Sequence, residues 1–194
     1  MHIILIERCI KKWNKKKAGY EMKKVIIYGS HYGTTRRYAE KLSELTRIEV
    51  INYSDVKDLS GYETVIHMGG LYAGGVKGLK NTVKLLADST RLIVVTVGLA
   101  DVTKKENTDH IKKSVGMQLS PCVLERTTIL HLRGAMDYSK LNIAHKSMMA
   151  LVYKKAKSTP DEEKTEEVKD MIATYGQKAD FMDLSSLEKV MEIL

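Results

Sequence analysis

Ser30, Gly33, Thr34 and Thr35 carry the clearest chemistry in this 194-residue chain. They sit in the run Tyr28-Gly29-Ser30-His31-Tyr32-Gly33-Thr34-Thr35, directly after the apolar Val25-Ile26-Ile27 and directly before a segment with helical spacing. A buried strand, a tight hydroxyl-rich turn and the first turn of a helix together make an anion site, because the first amides of a helix have no intrahelical partner. Backbone N–H groups from Ser30 to Thr35, His31 and Tyr32 included, would face a phosphate, and the Ser30, Thr34 and Thr35 hydroxyls would add donors. Taken alone, such a turn is also what an ordinary helix cap requires.

Two further loops add to it. Gly69-Gly70-Leu71-Tyr72-Ala73-Gly74-Gly75 follows an apolar segment at Thr64–Met68, and Gly98-Leu99-Ala100-Asp101 follows another at Leu92–Val97. Glycines admit close approach of backbone to a flat ligand, and Tyr72 offers a ring to stack on one. A glycine-rich loop that is merely mobile, with Tyr72 capping the core, is the plainer alternative. His31, Tyr32 and Arg36 read as solvated loop and helix residues rather than catalytic groups, and His67 reads as a satisfied strand residue. No nucleophile elbow, lysine-bearing phosphate loop or spaced metal site is present in the sequence. Cys9 and Cys122 lie in no metal-ligand spacing and support neither a disulfide framework nor a zinc site.

The elements that must position these loops follow from periodicity. Tyr38, Ala39, Leu42 and Leu45 fall on one helix face. Ile48, Val50 and Tyr53 mark a short second strand, and Val76, Leu79, Val83 and Leu86 predict the next helix. Leu92–Val97 is the most continuous apolar run and predicts a central strand. Asn107–Met117 predicts a helix interrupted at Ser120-Pro121, and Val123–Leu132 a fifth strand, split or bulged around Glu125 and Arg126. Strands alternating with helices predict a three-layer α/β sandwich: a five-stranded parallel sheet of order 2-1-3-4-5 with helices on both faces. In such sheets a ligand sits beyond the carboxyl ends of the strands, at the switch point between strands one and three. The loops after strands one, three and four converge there.

Composition sets the frame for this reading. Hydrophobic content of 43% and charged content of 29% are ordinary for a globular chain, and no apolar run approaches a membrane span, so a cytoplasmic protein is expected. The net charge of +8 is unevenly spread: residues 1–21 hold six basic and two acidic side chains, a net of +4. Residues 1–22 are therefore expected to be a loosely ordered basic leader and residues 23–194 one domain. Translation starting at Met22, and a basic tail for membranes or acidic partners, are two other readings of that leader.

The run from Tyr28 to Thr35 resembles the flavodoxin phosphate loop, with Ser30, Gly33 and Thr35 at its defining positions. The similarity continues through Val65–Tyr72, Thr96–Leu99 and Leu132–Tyr138, and is nearest to the flavodoxin-like, menaquinone-dependent protoporphyrinogen dehydrogenases of bacteria. The resemblance implies noncovalent flavin mononucleotide (FMN), its phosphate in the Ser30–Thr35 loop and its ring between Gly70–Ala73 and Gly98–Ala100. Ser30, His31, Tyr32, Gly33, Thr34, Thr35, Gly70, Leu71, Tyr72, Ala73, Gly98 and Leu99 are thus the expected cofactor-binding residues. It further implies an oxidoreductase passing electrons to a quinone. The chain departs from those dehydrogenases in its glycine-rich third-strand loop and in having fewer aromatics and arginines after Gly134. An electron-transfer protein without its own substrate is the alternative, although such shuttles are usually acidic and residues 22–194 still carry +4. A flavin-free binding module of the same fold stands in reserve.

In the tail, Leu141, Ala144, His145, Met148, Leu151, Val152 and Ala156 trace one helical face with Lys146, Lys154, Lys155 and Lys157 around it. That face is expected to turn to the core; its functional alternative is a basic, methionine-bearing surface for anionic membranes. Thr159-Pro160-Asp161-Glu162 predicts a capped helix to about Ala173, and Ser185–Glu188 a last short one.

Overall fold

The computed structural model describes residues 23–72 and 75–194. The leader, Met22 and Ala73 therefore lie outside the described residues. Strand β1 (Lys24–Gly29) pairs in parallel with β2 (Glu49–Asn52) on one side and with β3 (Thr64–Tyr72) on the other. Strand β5 (Arg91–Gly98) lies between β3 and β6 (Thr127–Arg133), again in parallel. The described sheet has six strands rather than the expected five: the order β2-β1-β3-β5-β6 matches the expected 2-1-3-4-5, and the short arm β4 (Gly75–Val76) is added antiparallel to β3. A parallel sheet buried on both faces explains why these strands read as near-continuous apolar runs.

Alternation along each strand divides the core in two. Val25, Ile27, Val65, Leu92 and Val94 face a layer holding Leu79 of α2 (Leu79–Val83), Ile111 and Val115 of α3 (Lys105–Gly116) and Val123 of α4 (Pro121–Glu125). Ile26, Ile66, Met68, Ile93 and Val95 face α1 (Thr34–Thr46), through Tyr38, Ala39 and Leu42, and the C-terminal Leu187 and Val190. Leu187 ends a 3-10 turn, and Val190 belongs to α7 (Glu188–Met191). Tyr38 is fully buried and joins these parts: its hydroxyl donates to the Arg133 carbonyl at 2.8 Å and accepts the Asp183 N–H at 2.9 Å.

Several sequence expectations are corrected. Leu45 is 50% exposed, and Thr35 takes the place it was given on the buried face of α1. The third strand does not stop at Met68; it runs to Tyr72, so Gly69 to Tyr72 is strand rather than loop. The helix expected from Val76 to Leu86 shrinks to Leu79–Val83, with Val76 in β4. Val123 to Glu125 is helical, because Pro121 at the first turn starts α4 and β6 begins only at Thr127.

The tail differs most. Helix α5 (Ile143–Ser158) buries only Ala156, and Ile143, Leu151 and Val152 are exposed, so its apolar face does not turn to the core. It packs instead on α6 (Glu166–Thr174), with Tyr153 stacked on Tyr175 at 4.0 Å between centroids. Thr165 caps α6, not Thr159, and Asp161–Glu163 is a 3-10 turn. A small antiparallel sheet of β7 (Ala135–Asp137) and β8 (Lys178–Asp180), unforeseen in the sequence, folds the tail back onto the carboxyl end of β6. Among the described residues no helix is long and apolar enough to cross a membrane.

Candidate functional site

The carboxyl ends of β1, β3 and β5 open onto one crevice, as parallel topology dictates. Ser30, His31, Tyr32, Thr34, Thr35, Gly70, Leu71, Tyr72, Gly98 and Leu99 line it together, with Lys77, Val97, Gly134, Ala135 and Met136. Of the expected cofactor-binding residues, Gly33 belongs to the loop without lining the crevice, and Ala73 is outside the described residues.

The floor of the crevice is the start of α1. Gly33 precedes the helix with φ of 92°, and no side chain caps the first turn, which also lacks an acidic residue. The positive φ explains the glycine, since the left-handed region costs any residue with a Cβ about 1 kcal/mol or more. Ser30 Oγ accepts the Gly33 N–H at 3.0 Å, which holds the loop closed and leaves the hydroxyl hydrogen available to an anion. Thr34 is committed elsewhere: its hydroxyl donates to the Ala135 carbonyl at 3.2 Å, tying α1 to the strand beyond β6. Thr35 is 3% exposed and lines the crevice wall. Arg36 is exposed and pairs with Glu40 at 2.7 Å, along the helix rather than toward the loop.

Glycines let the walls approach. A Cβ on Gly70 would lie 3.3 Å from Thr35 Oγ1, and one on Gly98 would lie 2.9 Å from Leu71 Cδ1. The Gly134 N–H donates to the Gly98 carbonyl at 2.7 Å, and a Cβ there would press on Val97 at 2.8 Å. Arg133 reinforces this wall: its guanidinium donates to the Leu99 carbonyl at 3.2 Å and lies 3.9 Å from the Phe181 ring centroid. Lys77 is the lining side chain with a permanent charge. No carboxylate is among the described lining residues.

Four aromatic rings gather at the mouth. His31 lies 5.1 Å from Tyr72 and 5.1 Å from His145, and Tyr72 lies 4.6 Å from His145, between ring centroids. The Tyr32 hydroxyl is hydrogen-bonded to His145 Nδ1. Burial first, then the charge of Lys77 and the proximity of His145, hold the His31 imidazole below its ordinary pKa. His145 comes from α5, which no motif connected with the crevice. His67 is turned away from it: fully buried, its nitrogens meet Thr82 Oγ1 at 2.9 Å and the Lys77 carbonyl at 3.0 Å, and burial lowers its pKa to about 4. The satisfied strand residue expected from the sequence is what the structure contains. Asp101 caps its own turn by accepting from the Thr103 amide and hydroxyl.

The model of the flavodoxin domain matches residues 25–163. The chain belongs to the flavodoxin-domain family. Lys77, Val97 and the segment from Gly134 to Met136 were missing from the sequence-derived site. Gly134 to Met136 could have been found by extending the carboxyl-end rule to the loop after β6; Lys77 could not, because the short arm β4 gives no pattern. Among solved structures, this domain is similar to a flavoprotein from Lactobacillus acidophilus in complex with FMN, at 14% identity and a TM-score of 0.38 over 58% of this chain and 92% of that one. It is similar also to a flavodoxin from the domain Archaea, at 13% identity and 0.37 over 58% and 83%. A cysteine-to-serine mutant of flavodoxin from Pseudomonas aeruginosa matches at 18% identity and 0.37 over 67% and 93%. No curated protein matches the chain.

Proposed function

We propose that this flavodoxin-domain protein binds FMN noncovalently and acts as a flavin-dependent oxidoreductase. The observation that carries the reading is the uncapped, acid-free start of α1, framed by Ser30 and Thr35 and facing a glycine-walled crevice. Those donors suit a phosphate: amides of Thr34 to Arg36 at the positive end of a 13-residue helix, with two hydroxyls, form a cradle for an anion without needing a cation. Leu71, Tyr72, Leu99 and Met136 supply an apolar surface suited to a ring system, and backbone groups of the Gly70 and Gly98 segments supply its polar contacts.

Bound FMN would supply hydride or electron transfer, which no side chain of the crevice provides. The chain's own residues anchor the phosphate, hold the ring against the β3 and β5 ends and shield it from water. No general acid or base is assigned. The narrower form of the reading is quinone-linked oxidation of a porphyrinogen. The electron-transfer alternative is less favoured, because such shuttles are usually acidic whereas residues 22–194 carry a net charge of +4 and Lys77 lines the crevice. Purification of the native chain with a spectrum of bound flavin, released as FMN on denaturation, tests the cofactor. A colourless protein that fails to bind added FMN would remove the reading. Anaerobic reduction followed by porphyrinogen with menaquinone, or by a ferredoxin-reductase system, separates enzyme from shuttle.

A further inference from the structure

Helix α5 is attached to the domain at two places. Near its carboxyl end, Ala156 is buried and Tyr153 stacks on Tyr175. At its amino end, Asn142 Oδ1 accepts the His145 N–H at 2.8 Å, fixing the first turn, and His145 reaches into the ring cluster at the crevice mouth. Ile143, Ala144 and Lys146 beside it are exposed, so His145 is the residue of this turn that meets the crevice wall.

The crevice itself is narrow. Its volume is about 90 Å³, whereas pockets that enclose a ligand of cofactor size are about 300–1,000 Å³. A tricyclic ring therefore needs the mouth to widen. His31, Tyr32 and Tyr72 sit on the β1 turn and the β3 end, anchored to the sheet, whereas His145 stands on a helix that buries little. Of the four rings, His145 can withdraw at least cost in buried contact.

We infer that His145 is a ligand-contacting residue of the ring end: it leaves Tyr32 and Tyr72 as the flavin ring enters and then closes over the ring, so that α5 completes a crevice the three core loops leave open. The inference rests on the FMN reading above. It predicts that His145 governs how long the ring stays bound. The phosphate end is unaffected.

The test uses the full chain, stripped of flavin, with FMN and riboflavin as probes for the wild type, His145→Ala, His145→Phe and Leu151→Ala. For His145→Ala, release of both flavins is expected to be faster by about three- to tenfold, the loss of one ring contact. His145→Phe restores slow release because it keeps a ring, and Leu151→Ala, exposed farther along α5, behaves as wild type. Release rates in His145→Ala equal to wild type would overturn the inference. So would an effect seen with FMN but not riboflavin, which would place His145 at the phosphate, and so would an equal effect from Leu151→Ala. Wild type that binds neither flavin would overturn the FMN reading itself, and this inference with it.

Discussion

The carbonyl oxygen of Lys77 lies 2.1 Å from where a Cβ on Gly29 would stand. The last residue of β1 must therefore be glycine so that the chain leaving β4 can cross the sheet end against it, and the same carbonyl meets His67 Nε2 at 3.0 Å. That crossing places Lys77 at the crevice. Gly29→Ala would force backbone against backbone, so a loss of at least about 2 kcal/mol in urea unfolding is expected, in the upper range for overpacked sites. Gly61→Ala is the control, since nothing lies within 4 Å of its Cβ position, and it should shift stability by no more than about 1 kcal/mol. Equal stability of Gly29→Ala and wild type would show that the β4 crossing is not fixed.

His67 gives the fold a pH dependence with a definite sign. Burial lowers its folded-state pKa to about 4, while the unfolded chain has the ordinary value of about 6.5. Between these values the unfolded chain binds more protons, so stability is fully present above about pH 6.5 and is lost as pH falls toward 4. The full loss from this group is about 3 kcal/mol, at about 1.4 kcal/mol per pH unit. Urea unfolding of wild type and His67→Gln from pH 7 to 4 measures the difference. The variant should begin less stable at pH 7 and show a shallower decline; parallel curves would remove His67 as the cause.

Tyr38 ties the C-terminal segment to the sheet. Replacing it with Phe keeps the ring buried but strips the partner from the Arg133 carbonyl and the Asp183 N–H. Stranding buried polar groups costs about 1–3 kcal/mol each, so Tyr38→Phe should lose about 2 kcal/mol, with faster amide exchange at Asp183 and easier proteolysis after β8. Unchanged exchange at Asp183 would mean that Leu187 and Val190 alone hold the segment.

How much of this architecture could be read in advance depended on how local its cause was. β1, β5 and the Ser30–Thr35 turn were legible because a strand buried on both faces is a run of apolar residues, and a left-handed Gly33 before a helix is a feature of a few neighbours. The strand order followed from handedness and from a short β2. The extension of β3 through Gly69 to Tyr72 was hidden, because glycines there read as loop; what makes them strand is pairing to β5 and to β4, a non-local fact. The tail misled for the opposite reason. Its helical spacing was real, but Leu151 and Val152 of that face are exposed, and the helix instead meets Tyr175 through Tyr153 and the crevice mouth through His145. His145 could not be assigned to the site from sequence, since more than 100 residues separate it from Tyr32.

The Ser30–Thr35 loop carries the prediction on which the functional reading turns. Ser30 accepts from Gly33, so its own hydrogen can point outward; Thr35 lines the wall beside Gly70; Thr34 is spent on Ala135. Ser30→Ala with Thr35→Ala should then weaken FMN binding by about 3 kcal/mol or more, roughly a hundredfold or more in Kd, from two charge-assisted hydrogen bonds at about 1.5–3 kcal/mol each. Thr34→Ala should weaken it less, through the tie to Ala135 alone. Riboflavin, which has the ring and no phosphate, should bind the double variant as it binds wild type. Fluorescence titration of both flavins gives the comparison. An FMN affinity unchanged in the double variant would make the hydroxyls purely structural and leave the α1 amides as the whole anion site; a parallel loss for riboflavin would mean that the loop had collapsed.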